Sequence, residues 1–166
     1  MDIAALEAGQ WDCLRRARLR ALKDCPSAFL SSYVIESAWG EDQWRDTFGD
    51  ATWVVARDGS RIVGMAHSLL VADRPADERH IECVWVDPRH RRVGVLKAML
   101  GFLFGAEPDV RTWMVWAIEG HIVDDATSSR DVYERLGFYW TGERQLLPDD
   151  SGRIEIRLKR EQPRGT

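Results

Sequence analysis

The sequence has few cysteines, and their arrangement suggests neither a disulfide framework nor a metal site. Cys13, Cys25 and Cys83 are widely spaced, and no two of them form a Cys-x-x-Cys pair. The four histidines, considered together with these cysteines, also lack the spacing of zinc ligands. We therefore expect free thiols in a reducing compartment and no metal cofactor.

Long apolar stretches and an excess of positive charge are also missing. No run approaches the roughly 20 apolar residues that a membrane-spanning helix needs. The N-terminus has no basic segment followed by an apolar one, which a secretory signal would require. The net charge of −4, from 23 basic and 27 acidic side chains, disfavours general binding to nucleic acid. These absences predict a cytoplasmic protein without membrane or nucleic-acid partners.

What the sequence does have is the composition of one ordinary globular domain. Its 166 residues are 45% apolar and 30% charged, which suits one sizeable core. Eight tryptophans are many for this length; core packing is the simpler explanation and an aromatic acceptor pocket is the alternative. Because no repeat or linker interrupts the chain, we expect one domain over residues 1–160 and a frayed tail over 161–166.

Hydrophobic periodicity predicts a mixed α/β sheet. Apolar residues three and four apart, with capping and stop signals, predict helices at 10–23, 27–37, 41–48, 95–104 and 128–136. Alternating or continuous apolar runs predict strands at 2–6, 51–57, 61–72, 79–86, 111–118, 138–147 and 154–160. The strand at 111–118 is apolar on both faces and is expected to be central, and 119–127 is expected to be a loop.

The strongest candidate for a binding site follows the strand at 79–86. It is the basic run at 89–92, which stands out in an acidic protein and is followed by Gly94 and a helix. A turn that enters a helix presents unpaired backbone N–H groups and the positive end of the helix dipole. Both favour phosphate oxygens, and a glycine lets a ligand approach the backbone closely. A plain surface turn is the alternative interpretation.

The same segment resembles the coenzyme A loop of the GCN5-related N-acetyltransferases (GNAT). In residues 86–94, VDPRHRRVG, Arg91 and Gly94 match the Arg-x-x-Gly of that family's loop. Two positions depart from the family's pattern. Leu96 stands where the family has glycine or alanine, and Arg92 stands where members often have glycine.

A second match lies downstream, in the order that the family has. Residues 132–138, VYERLGF, resemble its Leu-Tyr-x-x-Leu-Gly-Phe segment. Family members often have asparagine seven residues before this tyrosine, where this chain has Ala126. The residues that would take over that role are His121, Asp124 or Asp125. Weaker similarity at 18–29 and 142–145 extends the resemblance over nearly the whole chain.

The resemblance implies the GNAT fold, a single domain in which helices flank a splayed, mostly antiparallel sheet. It also implies acetyl-CoA as co-substrate, in a cleft between the strands that end at Val86 and Ile118. The pantetheine would pair with the backbone of the first strand, and an N–H near Val86 would hold the thioester oxygen. The residues thereby assigned to the cofactor are Val84, Trp85, Val86, Arg91, Arg92, Val93, Gly94, Val95 and Leu96.

The resemblance further implies that an acceptor amine attacks the thioester directly, without an acyl-enzyme. Tyr133 is the expected general acid for the leaving thiolate, and packing beneath the cofactor is its alternative role. Glu82 and His80, four and six positions before Val86, are the candidate general bases. Period-two alternation would place both on the strand face that also carries Val84 and Val86. A surface or salt-bridged position is the alternative for Glu82.

The leading hypothesis is an enzyme that transfers an acetyl group from acetyl-CoA to a primary amine of a small molecule or peptide. A non-catalytic acyl-CoA-binding sensor or interaction domain on the same fold is the alternative, and Leu96 and Ala126 favour it. The acceptor is expected between residues 10–37 and the segment 119–127, where aromatic and acidic side chains would suit a cationic amine. Homodimers are common in the family, and the strand at 154–160 is a candidate for such a contact.

Overall fold

The computed structural model describes residues 1–163, and seven of its strands form one continuous sheet. The strands in chain order are β1 (Asp2–Ala5), β2 (Thr52–Asp58), β3 (Arg61–Leu69), β4 (Glu78–Val86), β5 (Thr112–Ile118), β6 (Ile122–Asp124), β7 (Thr127–Ser128), β8 (Tyr139–Leu146) and β9 (Ile154–Glu161). Across the sheet they follow the order β1-β2-β3-β4-β5-β9-β8, with β4 and β5 parallel and the other neighbours antiparallel. The predicted mixed, mostly antiparallel sheet is confirmed.

The helices of the described chain are α1 (Trp11–Asp24), α2 (Tyr33–Ser37), α3 (Glu41–Asp46), α4 (Val95–Ala106) and α5 (Ser129–Arg135). The continuous helix predicted over 27–37 is wrong. The chain instead makes a 3₁₀ turn at Pro26–Ala28 and an extended Phe29 before α2 begins. Ser32 starts α2 anew, because its hydroxyl accepts a hydrogen bond from the Ile35 N–H at 3.3 Å.

The two longest helices cover opposite faces of the sheet, which we call the α1 face and the α4 face. On the α1 face, Leu14 shares a buried cluster with Met65 of β3. On the α4 face, Met99 shares the larger cluster with Trp113 of β5. The helix α4 approaches β3 closely at Gly64, where a Cβ would lie 3.1 Å from the Met99 side chain. Only glycine leaves room for that approach.

The parallel pairing of β4 with β5 ends half-way along the two strands. It joins residues 78–81 to residues 112–115. Beyond that point residues 82–86 of β4 and 116–118 of β5 continue as strands without pairing to each other. A cleft therefore opens between the two strands, as the predicted splay requires, and the backbone along its edge is left for another partner.

A β-bulge at Cys83 changes the face that the second half of β4 presents. The register against β3 moves by one residue between the partners of Glu82 and Trp85. Cys83 itself has a positive φ of 53°, which is typical of an extra residue inserted into a ladder. Trp85 consequently packs on the α1 face, while Val84 and Val86 pack on the α4 face.

The expectation that Glu82 and His80 share a face with Val84 is therefore wrong. Glu82 pairs across the sheet with His67, whose ring lies against Trp53 of the α1-face cluster. His80 stands two residues before Glu82, ahead of the bulge, and shares its side of the strand. Period-two alternation fails here because the bulge adds one residue between Glu82 and Trp85.

Two further segments differ from the predicted elements. The expected loop at 119–127 contains a small hairpin of β6 and β7. The tail expected to fray from residue 161 is ordered at its start, since Glu161 ends β9 and the Gln162 N–H donates to the Arg111 carbonyl at 2.8 Å. Residues 164–166 of that tail lie outside the described residues. No helix within residues 1–163 is long and apolar enough to cross a membrane.

Candidate active site

A cavity of about 660 Å³ lies where β4 and β5 diverge. Its walls are formed by β4 from Ile81 onward, by β5 from Val115 onward, and by the loop that leads into α4. The segment 24–29, the β6–β7 hairpin and one side of α5 complete it. Because the bulge turns Val84 and Glu82 to opposite faces, the cavity reaches from the α4 face through the cleft to the α1 face.

Most of the residues predicted to hold the cofactor line this cavity. They are Val84, Trp85, Val86, Arg91, Arg92, Gly94, Val95 and Leu96. The remaining one, Val93, is not in the wall, and the residue is 67% exposed. Leu96 both lines the cavity and packs against the α4-face core, so the large residue at this position is partly accommodated by the core.

The N-terminus of α4 opens into the cavity with the geometry expected of an anion site. Gly94 precedes the helix with φ 87° and ψ 8°, a left-handed conformation that favours glycine. A Cβ built on Gly94 would meet nothing within 4 Å, so the space in front of it is open. The first N–H groups of this twelve-residue helix have no intrahelical partner and carry the positive end of its dipole.

The guanidinium of Arg91 bridges three parts of the cavity wall. Its Nε donates to the Val86 carbonyl at 3.2 Å, and its Nη1 donates to the Val123 carbonyl of the hairpin. Its Nη2 lies 3.4 Å from Cys25 Sγ. Arg91 therefore ties the end of β4 to β6 and to the segment after α1, and its positive charge stays inside the cavity.

Arg92 is paired with the hairpin instead of facing solvent alone. It has a positive φ of 62°, and its guanidinium contacts the carboxylates of Asp124 and Asp125. These two carboxylates raise the pKa of Arg92, with Asp125 the larger cause. Negative groups of the chain thus lie against an arginine that the sequence assigned to the cofactor's phosphates.

A buried carboxylate that the sequence reasoning left unassigned fixes the start of this loop. Asp87 is 2% exposed, and it accepts hydrogen bonds from Arg20 at 2.6 Å, Arg61 at 3.0 Å and the Arg89 N–H at 3.0 Å. Desolvation opposes its ionisation, but the hydrogen bonds from Arg89 and the nearby positive charges outweigh it and lower the pKa of Asp87. Its position directly before Pro88, as a cap, was the available signal.

The two candidate bases occupy different environments. Glu82 lines the cavity with 49% of its side chain exposed. Its contact with His67 is the main cause that lowers the pKa of Glu82, against desolvation, and His80 and Arg18 lower it further by their charge. His80 is not in the cavity wall; it is buried, and its Nε2 lies 3.1 Å from Glu78. The structure therefore brings Glu82, and not His80, to the cavity.

Tyr133 lies in the cavity wall on the α4 face, 7% exposed and 5.6 Å from the Phe138 ring between centroids. Burial raises the pKa of its phenol, so the hydroxyl is protonated at neutral pH. Within residues 1–163 no protein group accepts a hydrogen bond from that hydroxyl. A protonated, uncommitted hydroxyl in the cavity wall is what a general acid needs.

Of the residues considered for the missing asparagine, His121 and Asp124 line the cavity, and Asp125 does not. Burial, with the charges of Arg153 and Arg91, lowers the pKa of His121, so its imidazole is neutral at neutral pH. Among the described residues, no group of three or more His, Cys, Asp or Glu side chains is arranged to hold a metal ion.

Comparisons with known proteins identify the family and the fold. The model of the acetyltransferase (GNAT) family matches residues 15–138. The chain belongs to this family. Comparison with the sequences of curated proteins gives no match.

Solved structures of GNAT proteins share the fold over the whole chain. A ribosomal-protein-alanine N-acetyltransferase from Brucella melitensis is 17% identical with a TM-score of 0.67, over 98% of this chain and 100% of that one. An aminoglycoside 6'-N-acetyltransferase complexed with coenzyme A is 12% identical with a TM-score of 0.72, over 100% of both chains. A GNAT acetyltransferase from Streptococcus pneumoniae is 12% identical with a TM-score of 0.74, over 97% and 99%. At these identities the likeness establishes the fold.

Proposed function

We propose that this GNAT protein transfers an acetyl group from acetyl-CoA to a primary amine of a small molecule or a peptide. The observation that carries the proposal is one cavity lined both by the open N-terminus of α4, which suits a phosphate, and by the carboxylate of Glu82. The bulge at Cys83 separates the two, with Val84 on the α4 face and Glu82 on the α1 face. Two substrates entering from opposite faces would meet between the splayed strands.

The α4 side of the cavity suits acetyl-CoA. Its diphosphate would lie at Gly94 and the first turn of α4, where unpaired N–H groups and the helix dipole favour phosphate oxygens. Its pantetheine would follow residues 84–86, whose backbone has no strand partner on the side of β5. A coenzyme A complex of a protein with the same fold supports this choice of cofactor.

The α1 side suits an amine. Glu82, Phe29 and Trp116 line that part of the wall, and an anionic carboxylate beside aromatic rings favours a cationic ammonium group. Two of the structural neighbours are named as acetyltransferases of an aminoglycoside and of a ribosomal-protein alanine. The acceptors named for those two proteins support an amine as the class of acceptor for this chain, but they do not identify that acceptor.

The proposed reaction uses two side chains of the cavity wall, the ionised Glu82 and the protonated Tyr133. The ammonium gives a proton to Glu82, directly or through a water, and the freed nitrogen lone pair forms a bond to the thioester carbonyl carbon. An N–H near Val86 stabilises the oxyanion that develops. The carbon–sulfur bond then breaks, and the leaving thiolate takes the phenolic proton of Tyr133. The second proton that the nitrogen must lose to become a neutral amide passes to the resulting phenolate, directly or through a water, and restores the phenol. Proximity of the two substrates supplies much of the remaining acceleration.

Release of free coenzyme A thiol in the presence of acetyl-CoA and a panel of primary amines tests the proposal. We expect turnover with at least one amine, and we expect Glu82→Gln to lower kcat/KM by about 10²-fold or more. Tyr133→Phe should lower kcat while acetyl-CoA still binds. Tight binding of acetyl-CoA without turnover by any amine would instead support the sensor alternative.

A further inference from the structure

We propose that His67, on β3, is the positioning residue for Glu82 in acyl transfer. The inference rests on the function proposed above. His67 and Glu82 are directly opposite each other in the β3–β4 ladder, and His67 Nε2 lies 3.5 Å from Glu82 Oε2. The Glu82 side chain is 49% exposed and lines the cavity, whereas that of His67 is 12% exposed and does not. The imidazole therefore stands behind the carboxylate, on its protein side.

The imidazole is itself held in place. Its ring lies 4.3 Å from the Trp53 ring between centroids. Trp53 is 4% exposed, and its indole N–H donates to the Thr47 carbonyl at 3.0 Å. A ring packed against an anchored tryptophan has little freedom to rotate, so its nitrogens keep their direction relative to Glu82.

Both ring nitrogens of His67 are buried without a hydrogen-bond partner among the described residues. Buried polar atoms of this kind are uncommon, because leaving them unpaired costs free energy. The Glu82 carboxylate, 3.5 Å from Nε2, is within a few tenths of an ångström of a hydrogen bond. A small rotation of the half-exposed Glu82 side chain would complete it.

The other charged groups near Glu82 are committed elsewhere. His80, on the same strand, contacts Glu78 at 3.1 Å. Arg18, from α1, forms a buried ion pair with Glu36 at 2.8 Å. Burial raises the pKa of the adjacent Cys83 thiol to about 11, so this group is neutral at physiological pH. His67 is thus the side chain within residues 1–163 that is placed to orient Glu82 at short range.

This arrangement assigns separate tasks to the two carboxylate oxygens. His67 anchors Oε2, which leaves Oε1 to face the acceptor ammonium and to accept its proton. The imidazole does not touch the acceptor amine. It fixes the direction of Oε1, the oxygen that takes the proton, and it keeps Glu82 ionised to lower pH. Its removal should therefore change both the rate and the pH at which Glu82 becomes protonated.

Two substitutions at position 67 separate a positioning role from a packing role. His67→Phe keeps the contact with Trp53 and removes both nitrogens, and His67→Gln keeps a side-chain N–H donor. We expect His67→Phe to lower kcat/KM at pH 7 by about tenfold to a hundredfold, a part of what a general base contributes. It should also move the acidic limb of the pH profile to higher pH. His67→Gln should recover most of both effects.

A double variant tests whether His67 acts through Glu82. In the Glu82→Gln background, His67→Phe should cause no further loss of kcat/KM, because interacting residues are non-additive. Titration of the Glu82 carboxyl carbon by NMR, in protein labelled at glutamate and assigned with Glu82→Gln, should give a higher pKa in His67→Phe. This NMR titration does not require the protein to turn over a substrate.

The outcomes distinguish this inference from the function on which it rests. If the wild-type protein acetylates no amine, the proposed function fails and the positioning role fails with it. If the wild-type protein is active, an unchanged pH profile in folded His67→Phe, or a loss that adds fully to that of Glu82→Gln, overturns the role of His67 alone.

Discussion

Substitution of Gly94 separates two effects: the loss of stability caused by a strained backbone and the loss of affinity caused by blocking a ligand. In the ligand-free protein, the methyl group of Gly94→Ala would meet no atom within 4 Å. The variant should therefore lose stability only through its left-handed φ of 87°, at about 1–2 kcal/mol. For a domain of this size that corresponds to a fall in Tm of about 2–8 °C.

Gly142, on β8, provides a matched control. Its φ is 90°, and its added methyl would also meet nothing within 4 Å, but it is not part of the cavity wall. Gly142→Ala should therefore lower Tm about as much as Gly94→Ala. Only Gly94→Ala places a methyl where the diphosphate would approach the backbone.

The expected loss of affinity follows from the hydrogen bonds that this methyl would prevent. Loss of one hydrogen bond between a backbone N–H and a charged phosphate is worth about 1.5–3 kcal/mol, which raises Kd about tenfold to a hundredfold. Calorimetric titration with acetyl-CoA, beside thermal unfolding of both variants, measures the two effects. Equal Tm losses together with equal affinities for acetyl-CoA would refute the placement of the diphosphate at Gly94.

Two further predictions concern the loop and its supports. Asp124→Asn with Asp125→Asn frees Arg92 and should tighten acetyl-CoA binding by at most about fivefold, because exposed ion pairs are weak. Weaker binding in the same calorimetric titration would contradict the idea that these carboxylates compete with acetyl-CoA for Arg92. Asp87→Asn should destabilise the fold by about 1.5–3 kcal/mol at pH 7. Because the pKa of Asp87 is lowered from 3.8 in the folded state, this difference is present above about pH 4 and should shrink as the pH falls further. Urea unfolding at pH 7 and pH 3 tests it, and an equal difference at both would contradict the assignment.

The position of the loop that we propose for the cofactor was predictable from the sequence because the features that suggest it are local. A strand, a basic turn, a glycine and an amphipathic helix follow one another within residues 79–104. Their order alone places helix N–H groups, positive charge and an open backbone at one point. The structure brings eight of the nine predicted cofactor residues to the cavity wall.

The surroundings of Glu82, the proposed catalytic side, were less predictable because they depend on register and on distant segments. No feature of the local sequence pattern predicts the β-bulge at Cys83. Without the bulge, period-two alternation assigns Glu82 to the α4 face, which is the wrong one. The partnership of Glu82 with His67 depends on strand pairing across a long loop. The hydrogen bonds of Arg91 and Arg92 to the β6–β7 hairpin likewise join residues about thirty positions apart. The periodicity within one helix or strand does not predict contacts over that separation.

The most direct test of the account is calorimetric titration of the purified protein with acetyl-CoA, beside the double variant Arg91→Glu with Gly94→Asp. The account predicts that the wild-type protein binds acetyl-CoA and that the double variant, folded by circular dichroism, does not. Absence of binding by the folded wild-type protein would contradict the central claim that the cavity between β4 and β5 is an acyl-CoA site.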